Sequence, residues 1–528
     1  MADTTTTPIP PPPPSAAQPG FVRAIGLFDG TMIVVGSMIG SGIFIVSADM
    51  SRTVGSPALL IAAWLVTAAM TITGALSYGE LAAMMPKAGG QYVYLREALG
   101  PLWGFLYCWT LFMVIQTGTI AAVGVAFGKF LGVFFPSVSA GHWLLHIAHV
   151  PAIPVGPMVL GNMDIGLNTA NLAAICIITL LTLLNTFGLK LGSSVQNVFT
   201  SAKVLALMAV VLVGIVAHNW VAIMMNFGDG WHEFFANSGW PAKHAVQVGI
   251  GGPTVYVGLL TVIAVVQVGS LFSSDAWNNV TFTAGEIENP KRNLPLSLAI
   301  GVGVVSLLYI ACNFVYLSVL PMNGAPCMEG GDIVVFCHGI AHAAQDRVAT
   351  AVMEVAFGAI GAKLMAGAIL VSTFGCVNGM LLAGARVYYA MSRDGLFFKS
   401  VGRLSKSDVP ANSLWVQWAW TCLLCLSGSY GQLLDYVIFA ALAFYLLTVV
   451  GLFVLRRTQP DAPRPYRAIG YPVLPAIYIA MAAWICVVLL RYKPQYTWPG
   501  LILVVIGWPV YLVWKRLGTA VVDRGTES

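Results

Sequence analysis

Apolar stretches separated by short polar or basic connections recur along the whole chain. A membrane span needs roughly 20 apolar residues, and the pattern predicts about twelve, near 28–48, 57–83, 101–135, 167–187, 195–218, 257–283, 295–320, 357–388, 411–430, 432–455, 471–491 and 498–514. Two of these are interrupted. In the first, Val35-Gly36-Ser37-Met38-Ile39-Gly40-Ser41-Gly42-Ile43-Phe44 places three glycines and two serines inside the apolar run. An interior glycine costs about 1 kcal/mol relative to alanine, and in hydrocarbon each freed backbone group must find a partner within the protein. The pattern therefore predicts a broken helix lining a cavity. Five spans later the feature returns as Gly269-Ser270-Leu271-Phe272-Ser273-Ser274-Asp275-Ala276-Trp277-Asn278-Asn279.

Breaks at matching positions in two halves are the mark of an inverted repeat whose first and sixth helices cross at the membrane midplane. The organisation read from this is a Pro/Thr-rich tail over 1–27, a first repeat over 28–218, a second over 257–455, two additional helices over 471–516 and a tail over 517–528. A packing motif is the alternative, with Gly36 and Gly40 letting helices approach closely, but it leaves the clustered Asp275, Asn278 and Asn279 unexplained.

Composition agrees with a polytopic membrane protein: 58% hydrophobic, 9% charged, mean hydropathy +0.81. The tail, with Pro10 to Pro14, has no basic start, short apolar stretch and cleavage site, so the first span is expected to be retained. The net charge of +5 follows from topology. Arg23, Lys87, Arg96, Lys190, Lys291, Arg292 and the basic residues from Arg386 to Lys406 fall on the side of the termini, whereas Arg52, Lys129, Lys243, Arg347, Lys363, Arg491 and Lys493 fall opposite. Lys and Arg are retained in cytoplasmic loops. A cell-membrane protein with both termini inside is expected, without a nucleic-acid role.

Seven of the nine cysteines sit in predicted spans. Cys422 and Cys425 lie one helical turn apart without further ligands, so neither a metal nor a redox site is expected; Cys327 and Cys337 share an outer loop and are candidates for a disulfide. The histidines, among them His142, His146, His149, His338 and His342, map to outer loops and read as solvated. No catalytic constellation, phosphate loop or zinc signature is present. The chain reads as neither enzyme nor cofactor carrier, and no obligatory protein partner is signalled.

The broken ends suggest the ligand. N–H groups of a half-helix beginning near Ser41 and Gly42 suit a carboxylate; carbonyls around Met38 and from Phe272 to Asp275 suit an ammonium. Together they describe a zwitterion, a free amino acid. Lys203, inside the fifth span, is the other informative residue, because a charge at that depth is costly and usually functional.

At these residues the chain resembles the amino acid–polyamine–organocation superfamily, especially its L-type amino acid transporter-like branch. The GSxIGSGIF break appears as Gly36 to Phe44, PxAGGxYxYLREAxGP as Pro86 to Pro101, and GEIxNPxRNLP as Gly285 to Pro295. Ser372-Thr373-Phe374-Gly375 runs on through Asn378-Gly379 and Arg386 to Arg393-Asp394-Gly395. The resemblance implies an all-α membrane protein with a LeuT-type five-plus-five inverted repeat and two C-terminal helices, working in secondary active transport of amino acids by alternating access. It implies that Gly40, Ser41 and Gly42 receive the carboxylate and that the carbonyls of Met38, Phe272 and Asp275 receive the amino group, with Ser273 and Asn278 in the same second break. Phe272 matches the aromatic gate.

The bacterial motif FxYDGW reads Phe272-Ser273-Ser274-Asp275-Ala276-Trp277, a tyrosine replaced by Ser274 and a glycine by Ala276. Lys203 matches the lysine that stands where sodium-coupled relatives hold a cation, with Ser372 and Thr373 as neighbours. Sodium-independent exchange or coupling to protons is implied. An amine or polyamine carrier, which needs more carboxylates than Asp275, and a non-transporting amino acid sensor are the alternatives.

Overall fold

The computed structural model describes residues 23–86, 89–151, 153–155, 158–160, 163–187, 193–228, 243–248, 253–329, 332–337, 339–405, 409–427 and 430–525. The segments predicted from the apolar pattern are helices, numbered here as spans in chain order. Span 1 is Leu27–Met38, a tight turn Gly42–Phe44 and Val46–Val54; span 2 is Pro57–Met84, span 3 Pro101–Leu131, span 4 Thr169–Thr186 and span 5 Ser193–Val216. Span 6 is Leu259–Ser273 followed by Asn279–Phe282, span 7 Pro290–Val319, span 8 Val348–Arg393, span 9 Ala411–Ser427, span 10 Tyr430–Thr458, span 11 Val473–Tyr492 and span 12 Pro494–Gly525.

Among the described residues nine helices are long and apolar enough to cross a membrane, and the first halves of spans 1 and 6 are two shorter apolar helices. The helix of span 8 begins earlier than its apolar stretch, and Gly358 at φ +62° marks the joint. Glycine takes that left-handed geometry without a Cβ clash. The protein is a multi-helix membrane protein with broken first and sixth spans.

Short hairpins supplement the helices. Trp143–Val150 pairs antiparallel with Met163–Asn168, Ile153–Val155 with Met158–Leu160, His244–Gln247 with Thr254–Val257 and Ala325–Glu329 with Asp332–Cys337. They occupy connections that the apolar pattern left without structure. His149 and His146 both bond Asp164 across the first hairpin, at 2.8 and 3.1 Å, and hold its carboxyl below the usual carboxylate range. The side chains of Cys327 and Cys337 lie outside the described residues.

Span 2 packs along span 7, span 5 against spans 1 and 8, and span 3 against spans 4, 8 and 10. Buried polar side chains join them where no water is available as a partner: Thr67 of span 2 donates to Gln267 Oε1 of span 6 at 2.6 Å, Ser47 of span 1 to Asn313 Oδ1 of span 7 at 2.7 Å, and Asn185 of span 4 to Asn378 Oδ1 of span 8 at 2.8 Å.

Ion pairs gather at the two ends of the bundle. At the end carrying residue 24, Glu80 is fully buried and accepts from Arg456 Nε at 2.9 Å, Arg456 Nη2 at 2.6 Å and the Ala468 N–H at 2.7 Å. Arg386 meets Glu286 at 3.1 Å, and Arg96 meets Asp394. At the opposite end Arg52 and Lys129 approach Asp346 at 2.8 and 3.7 Å, and Lys493 approaches Asp435 at 3.7 Å. Both ends are tied across spans, and the residues of the two breaks between them are almost all buried.

Candidate substrate site

The first break follows from Ile39, whose ψ of 87° ends the helix. The Gly40 N–H turns back to Met38 O at 2.9 Å, and the chain resumes as the turn Gly42–Phe44 and the helix Val46–Val54. Met38, Gly40, Ser41 and Gly42 are all buried. The first N–H groups of a resumed helix lack acceptors within it, and an edge of this kind is one that can receive an anion.

The second break lies between Ser273 and Asn279. Its pivot is Ala276, at φ +62°, in a region that costs an L-residue roughly 1–2 kcal/mol. Where the resembled motif has glycine, the left-handed turn is thus kept with a Cβ in place, and such strain is characteristic of functional sites.

The two breaks touch. A Cβ built on Gly42 meets the Cα and Cβ of Ser273 at 2.8 and 2.9 Å, and one on Gly269 meets Val46 Cβ at 3.1 Å. Only glycine at 42 admits this approach. Tyr309 of span 7 joins the same pair, its hydroxyl lying 3.0 Å from both Met38 O and Ser273 O. The sequence pattern suggested bare carbonyls at Met38 and from Phe272 to Asp275, but those of Met38 and Ser273 meet Tyr309 and that of Phe272 accepts from the Asp275 N–H at 3.2 Å. Each has two lone pairs, so an ammonium reaching the first two shares them with Tyr309. Phe272, closing the last turn before the break, is 6% exposed.

Beyond Phe272 the polar groups continue. Asp275 is buried and accepts from the Tyr445 hydroxyl of span 10 at 2.6 Å. The same hydroxyl is 3.3 Å from Asn278 Oδ1, Asn278 Nδ2 donates to Gln91 Oε1 at 2.9 Å, and Gln91 donates to Thr448 at 3.1 Å. Trp277, Tyr78 and Tyr445 pack ring to ring, with centroids 4.7 to 5.9 Å apart. A cavity beside the break is bounded by Gln91, Tyr107, Gln116, Asp275, Asn279 and Tyr445. Among the described residues Asn279 Nδ2 on its wall is buried with no hydrogen-bond partner, and the Tyr107 hydroxyl beside it is buried facing Asn278. Buried polar groups are ordinarily satisfied, so the Asn279 amide is the polar group on this wall that a further partner would satisfy.

Behind the first break, Lys203 is 1% exposed and its Nζ donates to Gly36 O at 2.8 Å. Ser372 Oγ lies 3.4 Å from Gly40 O and 3.5 Å from Ile39 O, and Cys376 Sγ lies 3.7 Å from Ser37 O. Spans 5 and 8 thus both hold the carbonyls that the break exposes. Thr373 differs: its hydroxyl bonds Ile369 O and Leu370 O of its own helix. Among the described residues no group of three or more His, Cys, Asp or Glu is placed to hold a metal ion.

Tyr309 and Tyr445 had no sequence signal, because a lone tyrosine in an apolar span reads as a core aromatic. Gln91 stands within the motif from Pro86 to Pro101 but next to a loop, and nothing local indicated that its amide bonds Asn278 and Thr448.

Relatives of this chain carry the names of amino acid transporters. The chain is 26% identical over 503 residues to the b(0,+)-type amino acid transporter 1 of Mus musculus, covering 94% of this chain and 89% of the relative. It is 27% identical over 481 residues to the Homo sapiens protein of the same name, covering 90% and 84%. It is 28% identical over 497 residues to the Large neutral amino acids transporter small subunit 2 of Mus musculus, covering 93% and 81%. The model of the Amino acid permease family matches residues 25–511, and with two broken spans meeting at Gly42 and Ser273 inside that match, this chain belongs to the amino acid permease family.

Proposed function

We propose that this protein moves free amino acids across the cell membrane by alternating access, independently of sodium, by exchange or by coupling to protons. The observation that carries the reading is the contact of the two breaks. It sets the backbone edge at Gly40 to Gly42 beside the carbonyls of Met38 and Ser273, an arrangement matched to the two charges of a zwitterion. In this reading the substrate side chain extends toward Asp275, Asn278 and the Asn279 amide, which border the cavity beside the second break. Lys203 donating to Gly36 O supports sodium independence, because a fixed ammonium already meets the acceptors that a cation would need.

Purified protein, reconstituted alone in liposomes loaded with unlabelled amino acid, is expected to show counterflow of labelled amino acid at equal rates in sodium, potassium and choline. A strict sodium requirement contradicts the coupling reading. Counterflow of diamines without that of amino acids supports a polyamine carrier, and binding without counterflow supports a sensor.

Phe272 closes over the substrate in this account. Phe272→Ala removes an aromatic wall whose burial contributes about 1.5–3 kcal/mol, so kcat/KM for large apolar amino acids is expected to fall roughly tenfold or more, with glycine and alanine much less affected. An unchanged ratio across the substrate panel makes Phe272 a packing residue.

A further inference from the structure

Span 1 is cut at its midpoint, so its first half, Leu27–Met38, is a short helix that must be held in register by its neighbours if the carbonyls and N–H groups at its end are to form the site. One neighbour does this in a regular way. Along span 5, Asn197, Thr200 and Lys203 recur every three residues, so they share one helix face. Asn197 Nδ2 donates to Asp29 Oδ1 at 2.6 Å, Thr200 Oγ1 to Met32 O at 3.3 Å, and Lys203 Nζ to Gly36 O at 2.8 Å. The acceptors climb span 1 at 29, 32 and 36 as the donors climb span 5 at 197, 200 and 203, the register of two helices running side by side in the same direction.

We infer that Asn197 and Asp29 are positioning residues for the substrate site, forming the lowest rung of a three-rung polar ladder that sets the height of span 1's first half and hence the placing of the break. The inference rests on the transport reading for its kinetic consequence, though not for its structural one.

Three features support the assignment. The Asn197–Asp29 rung is the only one of the three whose acceptor is a charged side chain, and hydrogen bonds to charged groups are the stronger kind. Asp29 lies in the first turn of its helix, where a carboxylate complements the helix dipole. The segment leading into the same short helix is tied by backbone, the Ala24 and Ile25 N–H groups both lying 3.0 Å from Glu286 O and the Glu288 N–H donating to Ile25 O at 2.9 Å, while the Ser297 hydroxyl of span 7 lies 3.4 Å from Leu27 O. Side-chain chemistry on span 5 and a backbone bridge after span 6 thus grip the helix from two directions, and of the two grips only the ladder reaches the break.

The test uses the full-length purified protein. Asn197→Leu is expected to speed amide hydrogen exchange over residues 27–38 by about tenfold or more, the factor that loss of a hydrogen bond to a charged group supports, while exchange over 57–84 stays at the parent value. In oriented proteoliposomes the same variant is expected to change the apparent KM several-fold on the side carrying residue 24, with less change in kcat. The exchanged pair Asp29→Asn with Asn197→Asp restores an amide-to-carboxylate rung and is expected to return both readouts toward the parent; Asn197→Ser serves if the leucine variant does not fold. Unchanged exchange over 27–38, or a double exchange no better than either single change, overturns the ladder. Should the parent transport no amino acid, the transport reading fails while the exchange measurement still decides the ladder.

Discussion

Gly42→Leu is expected to abolish transport while the protein remains inserted in the membrane. The reason lies in the contact between the breaks as much as in the ligand: even a single Cβ at this position comes within 2.8 Å of Ser273 Cα, which is backbone and cannot rotate aside. Overpacking of this kind costs about 1–3 kcal/mol of stability. Pushing the breaks apart by about 1 Å is enough to lose on the order of a hundredfold in rate. Gly42→Ala should already show a marked loss, because its methyl meets the same atoms. Counterflow per unit of inserted protein, with thermal unfolding measured in parallel, separates the loss of function from the loss of fold. Parent-like counterflow in Gly42→Leu removes the first break from the site.

The second large effect is expected at Lys203. Its ammonium donates to Gly36 O in a wholly buried setting, and Lys203→Ala leaves that carbonyl without its charged partner and a gap between spans 1, 5 and 8. A hydrogen bond to a charged group contributes about 1.5–3 kcal/mol, so transport is expected to fall by roughly tenfold to a hundredfold. Lys203→Met keeps most of the volume without the charge and should lose nearly as much. If the methionine variant transports like the parent, Lys203 fills space and the account of sodium independence fails with it.

The legible parts of this molecule are those with a local signature. Membrane spans announce themselves by length and apolarity, and both breaks were readable because glycine, serine and carboxamide residues have no structural reason to interrupt an apolar helix. Lys203 was readable as a charge at membrane depth, and its ammonium meets Gly36 O of span 1. The rest depended on contacts between distant residues. Nothing near Tyr309 or Tyr445 distinguishes them from packing aromatics, yet their hydroxyls meet Met38, Ser273 and Asp275. Thr373 and Ser372 are adjacent and chemically alike, but a helix turns by about 100° per residue, so one hydroxyl faces the break and the other folds onto its own backbone. Asn197 was passed over because its meaning lies in Asp29, far away in sequence. The hairpins of the long connections were missed because strands of three to eight residues are too short to carry a clear periodicity.

The central claim is that one amino acid binds where the two breaks meet, and a cryo-electron microscopy map of the purified protein with a transported amino acid bound tests it most directly. The account predicts substrate density with its carboxylate against the turn that follows Gly40, within hydrogen-bond reach of the Ser41 and Gly42 N–H groups, its ammonium at the carbonyls of Met38 and Ser273, and its side chain toward Asp275 and Asn279. Density for the amino acid elsewhere in the bundle, with the Gly42 and Ser273 edges bare, would contradict it.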